Sequence, residues 1–306
     1  MKTVLYIPTF NAGKRWSEVI KAINEQLVAP HQKVIIDSGS NDGTLTLPEL
    51  STFTIMAIDQ ADFDHGGTRQ LAVERFPDAD LYIFLTQDAI LADRRALANL
   101  IAVFEEHPTV GVAYGRQLPH KGAKALEAHA RLFNYPAHAQ FRNLKNAQQY
   151  GIKAISCSNS FAAYRREAFE EAGGFPSGTI LGEDVITAGK IVLNGWQLAY
   201  VAEAKVYHSH SYTVSDEFKR YFDIGVFHAM NPWIFENFGH AESEGWKYVK
   251  SELRYVIRHQ PTALPKVLFS LGAKWLGYKL GLHYKRIPLS WRRSFSMVKG
   301  FWARKA

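Results

Sequence analysis

The sequence predicts an α/β fold, a mostly parallel sheet with helices on both faces. Three observations predict it. Strand-like and helix-like segments alternate through the first half of the chain. Two strand-like runs lead into a carboxylate, Asp37 and Asp88, at the carboxyl ends where open α/β sheets bind ligands. The composition, 47% hydrophobic and 21% charged over 306 residues, is that of an ordinary globular chain.

The elements follow in order. Thr3–Ile7 (TVLYI) is a β-rich run, and Trp16, Val19, Ile20, Ile23 and Leu27 recur at helical spacing. Lys33–Asp37 (KVIID) is a second strand, closed by the turn cluster SGSNDGT. Phe53–Ile58 is a third strand, Gly66–Phe76 (GGTRQLAVERF) a helix and LYIFLT, from Leu81, a fourth strand. Leu97, Leu100, Ile101 and Phe104 mark another amphipathic helix. GVAYGRQLPH predicts a strand running into a loop, and Lys121 to Tyr150 is helical, then polar. SFAAYRREAFEEAGGF predicts strand, helix and glycine stop. LGEDVITAGKIVLNG predicts a helix preceded by two acids and ended at Asn194-Gly195, and WQLAYVAEAKVYHSH one or two short strands. No repeat or low-complexity linker is visible.

Charge is unevenly placed. From Gly245 to Ala306 there are 14 Lys and Arg against one acid, Glu252; the rest of the chain holds 22 basic and 28 acidic residues. A slightly acidic body thus carries a strongly basic segment, which suggests an anionic partner, membrane surface or nucleic acid. Aromatic and aliphatic residues, among them Trp246, Trp275, Leu276, Trp291 and Trp302, are interspersed with its cations and read as surface-seeking helix. The run after Met1 is too short for a signal-peptide core, and no run of apolar residues is long enough to span a bilayer. Cys157, the only cysteine, excludes a disulfide within the chain, fits a reducing compartment, and reads as a small buried residue.

The chemistry-bearing residues start at the strand ends. Asp37, followed by small residues, suits either a ribose hydroxyl or base N–H, or the cap of a tight turn. Asp88 suits a divalent cation bridging to phosphates, or the cap of the next helix. Neither the dinucleotide nor the P-loop glycine pattern is present, so a metal and basic side chains must do more to neutralise any bound phosphate. His208 and His210, two apart, share a face if they lie on a strand, and neutral imidazole suits Mn-like ions. The other reading is a pair of surface histidines.

Taken in order, IPTFNAG, IIDSGSNDGT, HGGTRQLA, LTQDA, GEDV and NGWQLAYVAEAKVYHSH resemble the family 2 glycosyltransferases, inverting enzymes with the GT-A nucleotide-sugar fold, over about residues 3 to 215. FDHGGTR with LTQDA is most similar to bacterial rhamnosyltransferases that use dTDP-L-rhamnose. The resemblance implies a nucleotide-contacting loop at Pro8, Thr9 and Asn11. Asp37 would hold base or ribose, with Ser38 where many members have a second acid. Arg69 would lie near the pyrophosphate. Gln87-Asp88-Ala89 stands at the D-x-D-type metal motif, with Gln87 and Ala89 where other members carry carboxylates. A histidine, His208 or His210, would complete a Mg²⁺ or Mn²⁺ shell. Glu183-Asp184 matches the E-D pair, with Asp184 the general base on the acceptor hydroxyl. The dipole of the following helix would keep it ionised, although both acids also suit a helix N-terminus as such. Trp196, Gly174 and Phe175 lie where the family shapes its acceptor pocket, and Trp196 equally fits a core.

The expectation is therefore a GT-A domain over residues 1–230 and a basic, amphipathic helical extension over 231–306. It would act at the inner face of the cell membrane, moving L-rhamnose onto a lipid-linked glycan of a surface polysaccharide such as O-antigen. The rivals are a UDP-hexose donor, or a non-catalytic nucleotide-sugar-binding or nucleic-acid-binding protein. The intact Glu183-Asp184 pair argues against loss of catalysis. The aromatic and leucine content of the basic segment argues for membrane surface over nucleic acid.

Overall fold

The structure, a computed structural model, describes residues 1–239 and 242–304, except the side chains of 242–244. Lys305 and Ala306, counted above in the basic segment, lie outside the described residues. The strands are β1 (Thr3–Thr9), β2 (Gln32–Asp37), β3 (Thr54–Ala57), β4 (Leu81–Leu85), β5 (Ile90–Leu91), β6 (Val110–Leu118), β7 (Gln140–Arg142), β8 (Phe161–Arg165) and β9 (Gln197–Tyr207). The helices are α1 (Trp16–Asn24), α2 (His65–Arg75), α3 (Ala96–Glu106), α4 (Ala125–Asn134), α5 (Ala147–Tyr150), α6 (Arg166–Glu171) and α7 (Glu183–Leu193). Then come α8 (Val214–Met230), α9 (Trp233–Phe238), α10 (Glu242–His259), α11 (Leu264–Leu282), α12 (Leu289–Phe295) and α13 (Lys299–Ala303).

The sheet runs β3-β2-β1-β4-β8-β6-β9-β5, with β7 also on β9. From β3 to β9 every strand points the same way except β8, which is antiparallel to both β4 and β6. The mostly parallel sheet is present with one reversed strand in its middle. A strand's direction is set by the edge at which the chain enters. Residues 143–160 bring the chain to the carboxyl edge, so β8 starts where β4 ends, with Phe161 beside Leu85.

Strand alternation builds two cores. Val4, Tyr6, Val34, Ile36, Tyr82 and Phe84 face one side of the sheet; Leu5, Ile7, Ile35, Leu81, Ile83 and Leu85 face the other. On that second side lie the buried faces of α1 (Trp16, Val19, Ile20, Ile23) and α3 (Leu97, Leu100, Ile101, Phe104). Leu27 falls outside α1 and is exposed, since the helix ends at Asn24. The last strand is single and long, β9, with its register shifted against β6 between Gly115 and Arg116.

Helices α11 and α13 pack against the body. The inner face of α11 carries glycines where it crosses α8, and a side chain at Gly277 would meet the Phe218 carbonyl of α8 at 2.3 Å. Phe301 and Trp302 of α13 are buried in the same core as Tyr6 and Phe84. Trp302 is 1% exposed, so it is a core residue and leaves the set of surface tryptophans expected above. The Arg304 guanidinium then donates to the Phe63 carbonyl (2.9 Å) and the Asp64 carboxylate (3.2 Å), which also caps α2. No helix of the described residues is long and apolar enough to cross a membrane.

Candidate active site

The carboxyl edge of the sheet gathers most of the expected residues. Thr9, at the end of β1, donates through its hydroxyl to Asp37, at the end of β2 (3.2 Å). Asp37 is buried and also accepts from the Gly39 and Ser40 amides and the Ser40 hydroxyl. Its turn-capping role is therefore realised in full. Ser38 is buried, its hydroxyl turned inward to the Thr9 carbonyl (3.1 Å) rather than into the cleft. Pro8 is likewise buried in β1. Asn11, the only non-glycine residue at positive φ among the described residues, receives the Asn41 amide and sends its own to Ser40. Gln87 holds the Phe10 backbone at both ends, accepting from its N–H (2.8 Å) and donating to its C=O (3.1 Å). Its amide thus braces the first loop and leaves Asp88 the sole carboxylate of this turn.

Asp88, His208 and His210 converge. Their ligand atoms all lie within 4.8 Å of one another. The Nε2 atoms stand 3.4 Å (His208) and 3.7 Å (His210) from the Asp88 oxygens. Both histidines lie past the end of β9, so the loop, not strand alternation, brings them together. Burial raises the pKa of Asp88. The hydrogen bond and charge of His208, then His210 and Thr86, outweigh it and hold the carboxyl well below its usual range. Burial, then His208, pushes His210 down to about 4, so its imidazole is uncharged at neutral pH. An ionised carboxylate beside a neutral imidazole is the protonation state a cation requires. One oxygen and two nitrogen donors fit Mn²⁺ better than Mg²⁺, which favours all-oxygen shells.

Sequence reasoning missed what orients His208. Its Nδ1 lies 2.9 Å from the Gln117 carbonyl oxygen, whose amide donates in turn to Ser158 Oγ (2.8 Å). A carbonyl can only accept, so Nδ1 donates to it, and this bond fixes the ring with Nε2 turned toward Asp88 and the site. Replacing Gln117 by Leu keeps the volume and leaves that proton unpartnered. Mn²⁺ affinity, read by calorimetry, is expected to fall about 10- to 100-fold; unchanged affinity refutes the orienting role.

The second centre is at the N-terminus of α7. Gly182 precedes it at φ +76°, where a side chain would also strike the Phe227 ring of α8 at 2.6 Å. Only glycine fits there. Gly66 of α2 serves a close approach: a Cβ would meet the Pro176 carbonyl at 1.9 Å and Glu183 Cβ at 3.2 Å. That explains the glycine of HGGTR and brings Arg69 within 3.2 Å of Glu183, both side chains buried. Arg69 also donates to the His65 carbonyl (2.7 Å), so its guanidinium is held between that carbonyl and the Glu183 carboxylate. Asn159, just before β8, joins both acids. Its side chain donates to Glu183 (3.1 Å) and its backbone N–H to Asp184 (3.0 Å).

The two carboxyls are driven apart. Burial raises Glu183, but Arg69, His65 and Asn159 bring its pKa below the usual value. Burial, then the neighbouring Glu183 charge, pushes Asp184 up to about 7 against the Asn159 and Val185 amides. The helix N-terminus thus does not keep Asp184 fully ionised at neutral pH. Divergence of this kind separates an ionised structural partner from a group that exchanges a proton near neutrality. The two centres are linked: Ser158, bonded to Gln117, directly precedes Asn159.

The three acceptor candidates make packing and hydrogen-bond contacts within the fold. Trp196 precedes β9 at the end of the strand opposite His208, and its indole donates to Glu171 (2.7 Å). Phe175 is a core residue packed on Phe84 and Tyr164, because its ring completes an aromatic cluster. Gly174 abuts Gln70 and accepts from the Thr187 hydroxyl through its carbonyl. The open space lies elsewhere. A cleft of about 480 Å³ beside His210 is lined by Arg15, Glu127, Tyr212 and Asp216 among others. Arg15, exposed shortly after the first loop, is a cation of this cleft that sequence reasoning passed over. Cys157 is half-buried, and burial raises its thiol pKa, which keeps it unreactive.

Residues 2–223 match the family described as glycosyltransferase like family 2. The chain is 50% identical to the O-antigen chain rhamnosyltransferase RfbN of Salmonella typhimurium, over 99% of this chain and 96% of that protein. It is 46% identical to the O-antigen chain rhamnosyltransferase WbaN of Salmonella anatum, over 97% and 95%. Among solved structures, the mannosyltransferase PcManGT from Pyrobaculum calidifontis, in complex with GDP-Man and Mn²⁺, superposes with TM-score 0.56 at 20% identity, covering 99% of this chain and 86% of that one. TarS 1-349 of S. aureus superposes with TM-score 0.55 at 16% identity, covering 100% and 92%. These two bear on the fold alone, which is the nucleotide-sugar fold the motifs implied. With its family matched over residues 2–223 and relatives near half identity along almost its whole length, this protein belongs to the family 2 glycosyltransferases.

Proposed function

We propose that the protein transfers L-rhamnose from dTDP-L-rhamnose, with inversion, to a hydroxyl of a lipid-linked glycan at the inner face of the cell membrane, in O-antigen synthesis. The observation that carries the reading is the pairing, at one sheet edge, of a cation site with a carboxyl poised near neutral pH. The activity of RfbN and WbaN supports the sugar, and the likeness of FDHGGTR and LTQDA to dTDP-rhamnose users supports the nucleotide.

Asp184 takes the proton of the acceptor hydroxyl as its oxygen attacks the anomeric carbon. A single displacement on the face opposite the leaving diphosphate inverts the configuration. Asp88, His208 and His210 hold a divalent cation, Mn²⁺ in preference to Mg²⁺, which supplies charge neutralisation for the departing nucleoside diphosphate. Arg15, at the mouth of the neighbouring cleft, adds a positive charge on that side. Pro8, Thr9, Asn11, Asp37 and Gln87 shape the nucleotide loop. Residues 1–230 carry transfer and residues 231–306 the contact with the surface that presents the acceptor.

A donor screen reading released nucleotide, with Mn²⁺, Mg²⁺ or neither, tests this. dTDP-rhamnose is expected to turn over in preference to UDP-glucose and UDP-galactose, and faster with Mn²⁺. Turnover of a UDP-hexose without response to dTDP-rhamnose refutes the donor assignment.

A further inference from the structure

Helix α11 exposes a stripe of large apolar residues that an ordinary surface helix would turn to the core. Small residues, Ser270, Gly277 and Gly281, are buried against the body together with Val267 and Lys274, while four large apolar ones, Leu268, Phe269, Trp275 and Leu276, face outward. Leu268, Phe269 and Trp275 are 63 to 70% exposed, and Leu276 shares their stripe. The positions 268, 272, 275, 276 and 279 recur every three or four residues, so they form one continuous face ending at the exposed Lys279. On α10, which packs against α11, exposed Trp246 is followed at helical spacing by Lys250, Arg254 and Arg258. Trp291 and Arg293 of α12 are exposed as well.

The sign of the charge identifies what covers this face. Among described residues from 245 onward the only acid, Glu252, is fully buried beside Lys274 (3.6 Å), so every exposed Lys, Arg, Asp or Glu of the segment is a cation. A second copy of the chain would bring two fields of one sign together. A nucleic acid offers no complement to Leu268 and Leu276. An anionic lipid surface satisfies both features, with acyl chains for the apolar stripe and headgroups for the cations. Tryptophan sits favourably at that boundary.

We propose that α10, α11 and α12 form a docking face for an anionic lipid bilayer, with α11 lying in the interface plane. The docking stands on its own geometry. That the same surface presents the glycan acceptor rests on the transfer reading above.

The test is co-sedimentation of the full chain with phosphatidylglycerol-containing and pure phosphatidylcholine vesicles, without donor. Wild type binds the anionic vesicles, and binding falls at about 1 M salt, where screening reaches about 3 Å. Phe269→Ser with Trp275→Ser lowers the partition coefficient about ten-fold or more. Lys250→Glu with Arg254→Glu lowers it by about five-fold or more per charge. These side chains are exposed, so folding, followed by circular dichroism, and turnover of a water-soluble acceptor are retained. That separates loss of docking from failure of the transfer reading. Equal binding by wild type and the Phe269/Trp275 variant overturns the proposal. So does a wild-type dimer, seen by light scattering, that this variant dissolves, since a second copy then covers the face. Quenching of wild-type tryptophan fluorescence by brominated lipid needs no variant, and its absence also refutes the docking.

Discussion

Replacing Asp184 by Asn is expected to lower kcat by about 10²-fold or more while changing donor affinity little. The variant keeps the shape and removes the only group of the α7 pair that exchanges a proton near neutrality. The pH profile gives the sharper reading. With its pKa at about 7, wild-type Asp184 is protonated and inactive as a base below that pH and ionised above it. The kcat/KM profile should therefore show an acid limb near 7 that the variant lacks. Glu183→Gln has a different signature. Removing a charge that raises Asp184 moves the acid limb to lower pH. It also leaves the buried Arg69 guanidinium without its counter-charge, at a cost in stability of about 3–5 kcal/mol for a broken buried pair. Near-native kcat in Asp184→Asn refutes the assignment. If Glu183→Gln alone loses turnover without losing stability, the base is Glu183.

Asp88→Ala is expected to abolish divalent-cation dependence together with transfer, a loss of about 10²-fold or more. Only one carboxylate stands in this site, because Gln87 is bound to the Phe10 backbone and Ala89 is apolar. Removing it leaves two imidazoles and no negative charge to hold the ion. Mn²⁺ binding by calorimetry and turnover with and without EDTA report the outcome. Full activity of the variant, or wild-type activity indifferent to EDTA, shows that Asp88 acts otherwise, as a cap or a loop brace.

Much of this site was legible because its residues sit at breaks in a periodic pattern. Asp37 and Asp88 end apolar runs, and the acids of α7 follow a glycine, so local sequence marks them. The residues that hold them in place carry no such mark. Gln117 follows Arg116 near the end of a strand, and its partner His208 is 91 residues away. Asn159 stands in an ordinary polar turn, and its acids are 24 and 25 residues on. The direction of β8 was equally invisible, since a short strand such as FAAYR reads the same whichever edge it starts from. Aromatic residues misled for the complementary reason. Phe175 and Trp302 belong to the core, and Phe269 to the outside, because of what packs beside them in three dimensions; side-chain chemistry alone does not decide it.

The placement of Trp302 bears on how the protein is made. Synthesis is vectorial, and domains ordinarily close in chain order as they leave the ribosome. Here the core that covers Tyr6 and Phe84 includes a ring supplied almost three hundred positions later. The Arg304 clasp on the Phe63–Asp64 turn comes later still. The sheet can pair early, but this part of its surface stays open to solvent until residue 302 has emerged. In the meantime it is a sticky intermediate for chaperones to shield. The side of the sheet that carries Tyr6 and Phe84 is therefore closed only once Phe301 and Trp302 are available to cover it.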